Sequence, residues 1–600
     1  MPSKGILAIP LVANRQLMAP LRQVLGRTNP ASPLSVVADH TFIGTANRGI
    51  TMATTAQQSI PTKAAAAAYD YEVIVIGAGV SGIYQIKRLV DLGVRATVLD
   101  ANNDVGGTWY NNRYPGARFD SESYTYGYSF SKELLNEWDW TERFSPQPET
   151  LRYLNFVVDK LKLREHMQFG CRIDAMHFDE QTDTWRLTLS DGRTLSSRVV
   201  VTGIGPLSTP TLPKIPGMAD FKGTSFHTAN WPHAALDLTG KRIGIIGTGA
   251  TAIQIIPIVA QQAGHLTVFQ RRPNWAAPLN NGPISATEMA AIRARYDEIF
   301  AACALSPAAF EHVPDKRGFY EVAPQERRAF WDRLYSEPGF GIWLANFAEI
   351  FMDEKANAEL SAYIAERIRQ RVKDPVIAEQ LIPKDHGFGI QRLPLETHYF
   401  ETYNRDNVEL IDTSATPIER ITATGLQTSD RQFEFDIIVY ATGFDAFTGA
   451  YDQIDIRGLG GEKLRDKWAR GPETYLGMLV NGFPNMVMLG GPQTAAANFP
   501  RGSEIAIDWI IPMLQHFWQN GCTRFNVSEA SQQAWFAAVK SSYDGLLLNK
   551  AQSWITGYNS NLAGHEYGHT RYNIFATGGV EYARRLAKAA ENNYQGINFS

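Results

Sequence analysis

The sequence predicts an α/β fold with two Rossmann-like dinucleotide-binding domains and an inserted helical lobe. Two glycine-rich turns, Gly77-Ala-Gly79-Val-Ser-Gly82 and Gly247-Thr-Gly249-Ala-Thr-Ala252, each follow a β-branched apolar run and lead into helical spacing. Between Ser285 and Gln380 the chain has helical periodicity, several aromatic residues and no further nucleotide turn.

The first unit opens with Tyr71 to Ile76, a run that reads as a buried parallel strand. Gly77 permits a tight turn, Gly79 lets the backbone approach a pyrophosphate, and Gly82 allows close helix packing. A second strand from Ala96 ends in Asp100, an acid that would accept from an unphosphorylated ribose. FAD fits this half.

The second unit repeats the design with one change. Arg242 to Ile246 is the strand, Gly247, Thr248, Gly249 and Ala252 form the turn, and Leu266 to Gln270 is the next strand. Where an acid would stand the chain has Arg271 and Arg272. A guanidinium pairs with a 2′-phosphate that an acid would repel, so this half should take NADPH.

A returning strand ends in Ala441-Thr442-Gly443, small residues that let the chain pass close to a bound dinucleotide. The Gly-rich segment Leu489 to Gln493 then leads the C-terminal part back to the first domain. The expected partition is an extension over 1–69, an FAD-binding domain from 70–205 and 441–600, an NADP-binding domain from 206–275 and 388–440, and a helical insertion over 276–387.

Composition narrows the function classes. Over 600 residues, 44% are apolar, 20% are charged and the formal charge is -4, with no basic excess to suggest a nucleic-acid surface. No apolar run is long enough for a spanning helix. Cys171, Cys303 and Cys522 lie far apart, which excludes a disulfide reductase and fits the reduced thiols of a cytoplasmic protein.

Before Asp70 one acid, Asp39, faces Lys4, Arg15, Arg22, Arg27, Arg48 and Lys63. That bias fits a mitochondrial presequence or a disordered extension, so a mitochondrial location stays open. His565-Glu566-Tyr-Gly-His569 spells H-E-x-x-H, but Gly564 and Gly568 bracket it and oppose the helical register that zinc ligation needs. No metal is expected.

Two longer motifs complete the pattern. Phe221-x-Gly223-x-x-x-His227-x-x-x-Trp231-Pro232 lies between the turns, and Gly106-Gly107-Thr108-Trp109 to Tyr114-Pro115-Gly116 and Asp120 follows the first. Together they resemble the type I flavin-dependent Baeyer-Villiger monooxygenases from about Tyr71 onward. The related flavin N- and S-oxygenases share the turns but typically lack the Trp-Pro ending.

The resemblance implies that NADPH reduces the flavin and that a flavin C4a-peroxide formed with O2 attacks a ketone to give an ester or lactone. It assigns Arg392 to stabilising the anionic intermediates, Asp120 to positioning that arginine, and Thr108, Trp109 and Tyr126 to the flavin. Trp554 matches a tryptophan whose loop closes over nicotinamide and substrate, with Gly557 giving the loop freedom; core packing is the alternative for Trp554. Phe221, Gly223, His227 and Trp231 would couple cofactor binding to domain movement.

Gln391 departs from the family, which commonly has a lysine there on the 2′-phosphate; Arg272 could compensate. The segment Gly490 to Pro500, with its Asn498-x-Pro500 form, resembles the cyclohexanone-type enzymes and points to cyclic or bulky ketones. Heteroatom oxygenation and a catalytically silent flavin-binding protein are the alternatives, and the oligomeric state is left open.

Overall fold

The computed structural model describes residues 69–565 and 568–600. The extension before Tyr69, and Glu566 of the H-E-x-x-H string, lie outside the described residues.

β-Branched runs with both faces buried build the two central strands. Val73, Ile74 and Val75 are fully buried, as are Ile243 and Ile245. Tyr71–Ile76 pairs in parallel with Ala96–Leu99 on one side and Thr194–Thr202 on the other. The sheet extends to eight strands, with Ile173–Asp179 and Thr184–Leu189 joining it as antiparallel neighbours.

Two of its strands come from far along the chain. Met486–Met488 pairs in parallel with Thr194–Thr202, and Asp455–Arg457 with Ile173–Asp179. The return to the first sheet is thus made at Asp455–Arg457, ahead of the Gly-rich segment Leu489 to Gln493.

A second sheet of five strands is parallel throughout, in the order Val408–Asp412, His265–Gln270, Arg242–Ile246, Ile437–Tyr440 and Thr224–His227. Its central strand leads into the helix Ala250–Gln262, whose Ile253, Ile256 and Val259 are fully buried. Long apolar strands covered on both faces by helices are the expected form of parallel sheets.

The long helix Phe499–Gln519 packs on the first-turn helix Val80–Asp91. Ser81 Oγ and Ser503 Oγ share a hydrogen bond at 2.8 Å, and Tyr84 donates to Asp508 Oδ1 at 2.7 Å. Helices Ala286–Ala294, Tyr296–Leu305, Pro324–Ser336, Glu354–Arg371 and Pro375–Gln380 fill the stretch between the second turn and Arg392.

The chain crosses between the two sheets twice, and the crossings lie side by side: Thr211 N–H donates to Gly443 O at 2.9 Å, and Thr442 Oγ1 donates to Thr211 O at 2.5 Å. Both glycine turns therefore sit at the carboxyl ends of their strands, close to this double crossing. Among the described residues no helix is long and apolar enough to cross a membrane.

Candidate active site

The first turn is set by backbone contacts. Gly77 adopts φ +102°, and a Cβ there would lie 2.5 Å from Gly203 O; at Gly82 it would lie 1.8 Å from Gly77 O. Gly79 caps the helix Val80–Asp91 without any side-chain acceptor, so the first N–H groups and the positive end of the helix dipole stay open to an anion.

Gly107 closes the other side. Its Cβ would meet Gly79 Cα at 2.9 Å, and Gly106 N–H donates to Ala78 O at 3.0 Å. The space that side chains would fill is a cradle of backbone, and it fits a pyrophosphate. Asp100 is 5% exposed; Oδ2 accepts from Ala78 N–H at 2.6 Å and Oδ1 from Asn102 N–H at 2.7 Å. Burial raises its pKa above the ordinary carboxylate value, and those two backbone donors oppose the rise.

The second turn repeats the backbone but is open. Gly247 takes φ +113°, with Ala441 O 2.4 Å from where a Cβ would stand, and Gly249 has nothing within 4 Å. Thr248 Oγ1 donates to Arg272 O at 2.9 Å, and Ala252 is fully buried.

The charged residues here are tied to distant side chains. Arg272 Nη1 donates to Gln552 Oε1 at 2.5 Å and pairs with Asp385 at 3.4 Å, while its guanidinium lies 5.1 Å from the Tyr558 ring centre. Arg271 bonds Ser560 Oγ, and Gln391 Nε2 donates to Gln552 O at 3.3 Å. Burial, then the neighbouring Arg272 charge, lowers the Arg271 pKa. A doubly arginine-lined, half-exposed patch beside an uncapped helix fits a phosphorylated ribose.

Between the turns lies the early signature. Trp109 Nε1 donates to Tyr126 OH at 2.9 Å, and Phe119 stacks on Tyr126 with ring centres 4.2 Å apart. The signature ends at Asp120, whose side chain is 3% exposed and accepts from Arg392 Nη1 at 2.6 Å across 272 residues of sequence. Leu395 N–H reaches the same oxygen at 3.4 Å. Arg392 Nη1 also donates to Leu393 O at 3.1 Å, and among the described residues Nε and Nη2 have no hydrogen-bond partner.

Trp554 is half-buried, 5.9 Å from the Phe447 ring centre, with its carbonyl accepting from Asn573 Nδ2 at 2.8 Å. Gly557 takes φ +86° in this segment. Its Cβ would strike the Arg571 side chain at 2.6 Å, so glycine is needed there for packing.

The fingerprint forms the edge strand of the second sheet and the turn after it. A Cβ on Gly223 would fall 2.5 Å from the Phe221 ring, which accounts for the Phe-x-Gly spacing. His227 is 3% exposed, its Nδ1 accepts from Ala229 N–H at 3.1 Å, and burial pushes its pKa down to about 4. It sits beside Phe444, ring centres 5.4 Å apart, at the strand end that crosses between the sheets. Trp231 packs edge-on against Phe226 at 4.9 Å.

The structure thus brings Asp120, Arg392 and the early signature together between the turns, and places Arg271, Arg272, Gln391 and the Trp554 segment at the second. The fingerprint stays at the crossing. In the H-E-x-x-H string, His565 bonds Gly557 O at 2.9 Å and His569 bonds Arg470 O at 2.7 Å. Sequence reading missed Gln254, Asp385, Gln552, Tyr558 and Ser560. Gln254, Gln552 and Tyr558 lie within two residues of Ala252, Trp554 and Gly557, which were the nearest signals.

Residues 70–284 match the family model described as flavin-binding monooxygenase-like. A Baeyer-Villiger monooxygenase of Pseudooceanicola batsensis is 39% identical over 82% of this chain and 90% of its own length. The phenazine N-monooxygenase PhzNO1 of Lysobacter antibioticus is 37% identical over 88% of this chain and 96% of its length. The solved structure of OTEMO in complex with FAD and NADP superposes with a TM-score of 0.85 at 42% identity, covering 89% of this chain and all of that one. With the Trp231-Pro232 ending in place, the chain belongs to the FAD- and NADP-dependent Baeyer-Villiger monooxygenases of the flavin-binding monooxygenase-like family.

Proposed function

We propose that this chain uses NADPH and O2 to insert one oxygen atom beside a ketone carbonyl, giving an ester or lactone. The observation that carries the reading is the Asp120–Arg392 pair at 2.6 Å, with Nε and Nη2 of the guanidinium left for a substrate-side anion.

Bound FAD, once reduced by NADPH, supplies the reactivity toward O2. Gly77, Gly79, Gly82 and Gly107 would hold its pyrophosphate, Asp100 its ribose, and Thr108, Trp109 and Tyr126 would wall its reactive end. Gly247, Gly249 and the uncapped helix after them would hold NADPH, with Arg271, Arg272 and Gln391 at the 2′-phosphate. The partition into an FAD-binding part (70–205 and 441–600), an NADP-binding part (206–275 and 388–440) and a helical insertion (276–387) is supported by the two sheets and their returning strands.

Oxygen transfer to a carbonyl develops negative charge on the adduct. Arg392 meets that charge with donors already in place, and a fixed cation costs no reorganisation when the charge appears. Asp120 holds the guanidinium plane without occupying all its donors. Trp554 would close the nicotinamide side, and the Asn498 loop would line the substrate side. The Asn-x-Pro form of that loop supports cyclic or bulky ketones. Three free cysteines among the described residues support a cytoplasmic location.

The test is purified, FAD-loaded protein given NADPH, O2 and a panel of ketones, sulfides and aromatic amines. Ester or lactone from at least one ketone is expected. Oxidised sulfides or amines with every ketone untouched would establish heteroatom oxygenation instead. Arg392→Ala should still be bleached by NADPH while ester formation drops roughly 100-fold or more; unchanged ester formation would remove Arg392 from its role.

A further inference from the structure

Gln254 stands on the helix Ala250–Gln262, one turn past the second glycine turn, yet its amide is spent on the early signature. Oε1 accepts from Tyr114 OH at 2.9 Å and from Arg118 N–H at 3.4 Å. Nε2 donates one N–H to Arg118 O at 3.0 Å and directs the other at Asp120 Oδ1, 3.5 Å away.

Two donors face one end of the amide and two acceptors face the other, so only one orientation satisfies all four. Glutamate offers no donor and leucine offers neither role. The backbone contact is equally close: a Cβ on Gly116 would lie 2.7 Å from Gln254 O.

Asp120 is therefore gripped from two sides. Oδ1 faces Gln254, while Oδ2 takes Arg392 Nη1 at 2.6 Å and Leu395 N–H at 3.4 Å. A carboxylate fixed at one oxygen can pivot about it; fixed at both, it holds a plane, and the bonded guanidinium follows.

We propose that Gln254 is a positioning residue for Arg392: acting through Asp120, it ties the placement of the guanidinium to the helix that begins at the NADP-side turn. The inference rests on the role proposed for Arg392. When the tie is lost, reduction by NADPH continues but oxygen transfer misses its geometry. NADPH, O2 and a proton then yield NADP+ and H2O2 in place of ester, and NADPH consumption separates from product.

The experiment compares FAD-loaded wild type, Gln254→Glu, Gln254→Leu, Tyr114→Phe and Arg392→Ala with an accepted ketone. It reads anaerobic bleaching by NADPH, ester per NADPH consumed, H2O2, and melting temperature. Gln254→Glu keeps the acceptor for Tyr114 and Arg118 N–H, so a purely structural role survives in it, but it sets a carboxylate against Asp120. Both Gln254 variants should bleach within about twofold of wild type while ester per NADPH falls roughly tenfold or more, since displacements near an ångström cost on the order of 100-fold.

Tyr114→Phe removes the hydroxyl that bonds Gln254 Oε1 and Thr251 but leaves both Nε2 bonds in place, and should keep the ester yield within about twofold. Wild-type ester yield in both Gln254 variants overturns the proposal. An equal loss in Tyr114→Phe also overturns it, because packing of the signature would then be what matters. Normal ester formation by Arg392→Ala removes the role of Arg392 on which this inference rests and so overturns it, whereas the absence of any ester from wild type sinks the functional reading itself; neither result is the one read from the Gln254 variants.

Discussion

The two glycine turns share a backbone and differ in what surrounds them. Gly79 and Gly249 cap their helices at nearly the same angles, φ -83° and ψ -170° against φ -79° and ψ -173°. Each turn is closed by a returning strand, at Gly203 and at Ala441. Yet the first is roofed by the Gly106-Gly107 backbone and its acid is bound by main-chain donors, whereas the second is open and its arginines are bound by side chains from distant segments. Main-chain walls cannot swing away, while side-chain partners can be exchanged for a ligand. On the proposed reading the first arrangement suits a resident FAD and the second a nicotinamide cofactor that arrives and leaves in each turnover.

The third position of the turns offers the hardest test of that contrast. Gly82→Ala would drive a methyl to 1.8 Å from Gly77 O, a backbone atom with no freedom to retreat. Overpacking of this kind should cost about 3 kcal/mol or more and strip the protein of flavin, read as FAD absorbance per protein after desalting. Full flavin retention would show that the first turn is not rigid. Ala252→Gly, at the matching position of the second turn, should lose only about 1 kcal/mol in urea unfolding and keep its flavin.

The arginines test the exchangeable side. Arg272→Ala should raise KM for NADPH about ten- to hundredfold while leaving that for NADH nearly unchanged, because only the phosphorylated ribose offers a charged acceptor. Equal effects on both cofactors would place Arg272 elsewhere than at the 2′-phosphate. The smallest change is expected from Gln391→Lys, which adds a partly solvated cation near the same group. KM for NADPH should fall about two- to fivefold. A rise would mean that the Gln391–Gln552 bond matters more than the charge.

Legibility followed the range of the interaction. The turns and the strands before them are settled by residues a few positions apart, so residue type alone reports them. Asp120 and Arg392 were reachable only through the family motif, since nothing local in either segment points to a partner 272 residues away. Gln254 was invisible: a glutamine on an amphipathic helix reads as a solvated face, and its four partners come from another sheet's signature. Gly557 is required by its φ of +86° and its close approach to Arg571, a tertiary reason that nothing in the neighbouring sequence signals.

The two dinucleotide units, their unequal charges and the family can be read from residue order, because turn geometry, strand burial and motif spacing are local properties of the chain. How those units meet is set by packing in three dimensions: Gln254 grips the early signature, Asp120 holds Arg392 with Nε and Nη2 to spare, and Asp385, Gln552, Tyr558 and Ser560 surround the arginines. Those contacts depend on where two sheets place their helices and loops relative to one another, and that placement is fixed by the packing of whole elements rather than by any residue's neighbours in sequence.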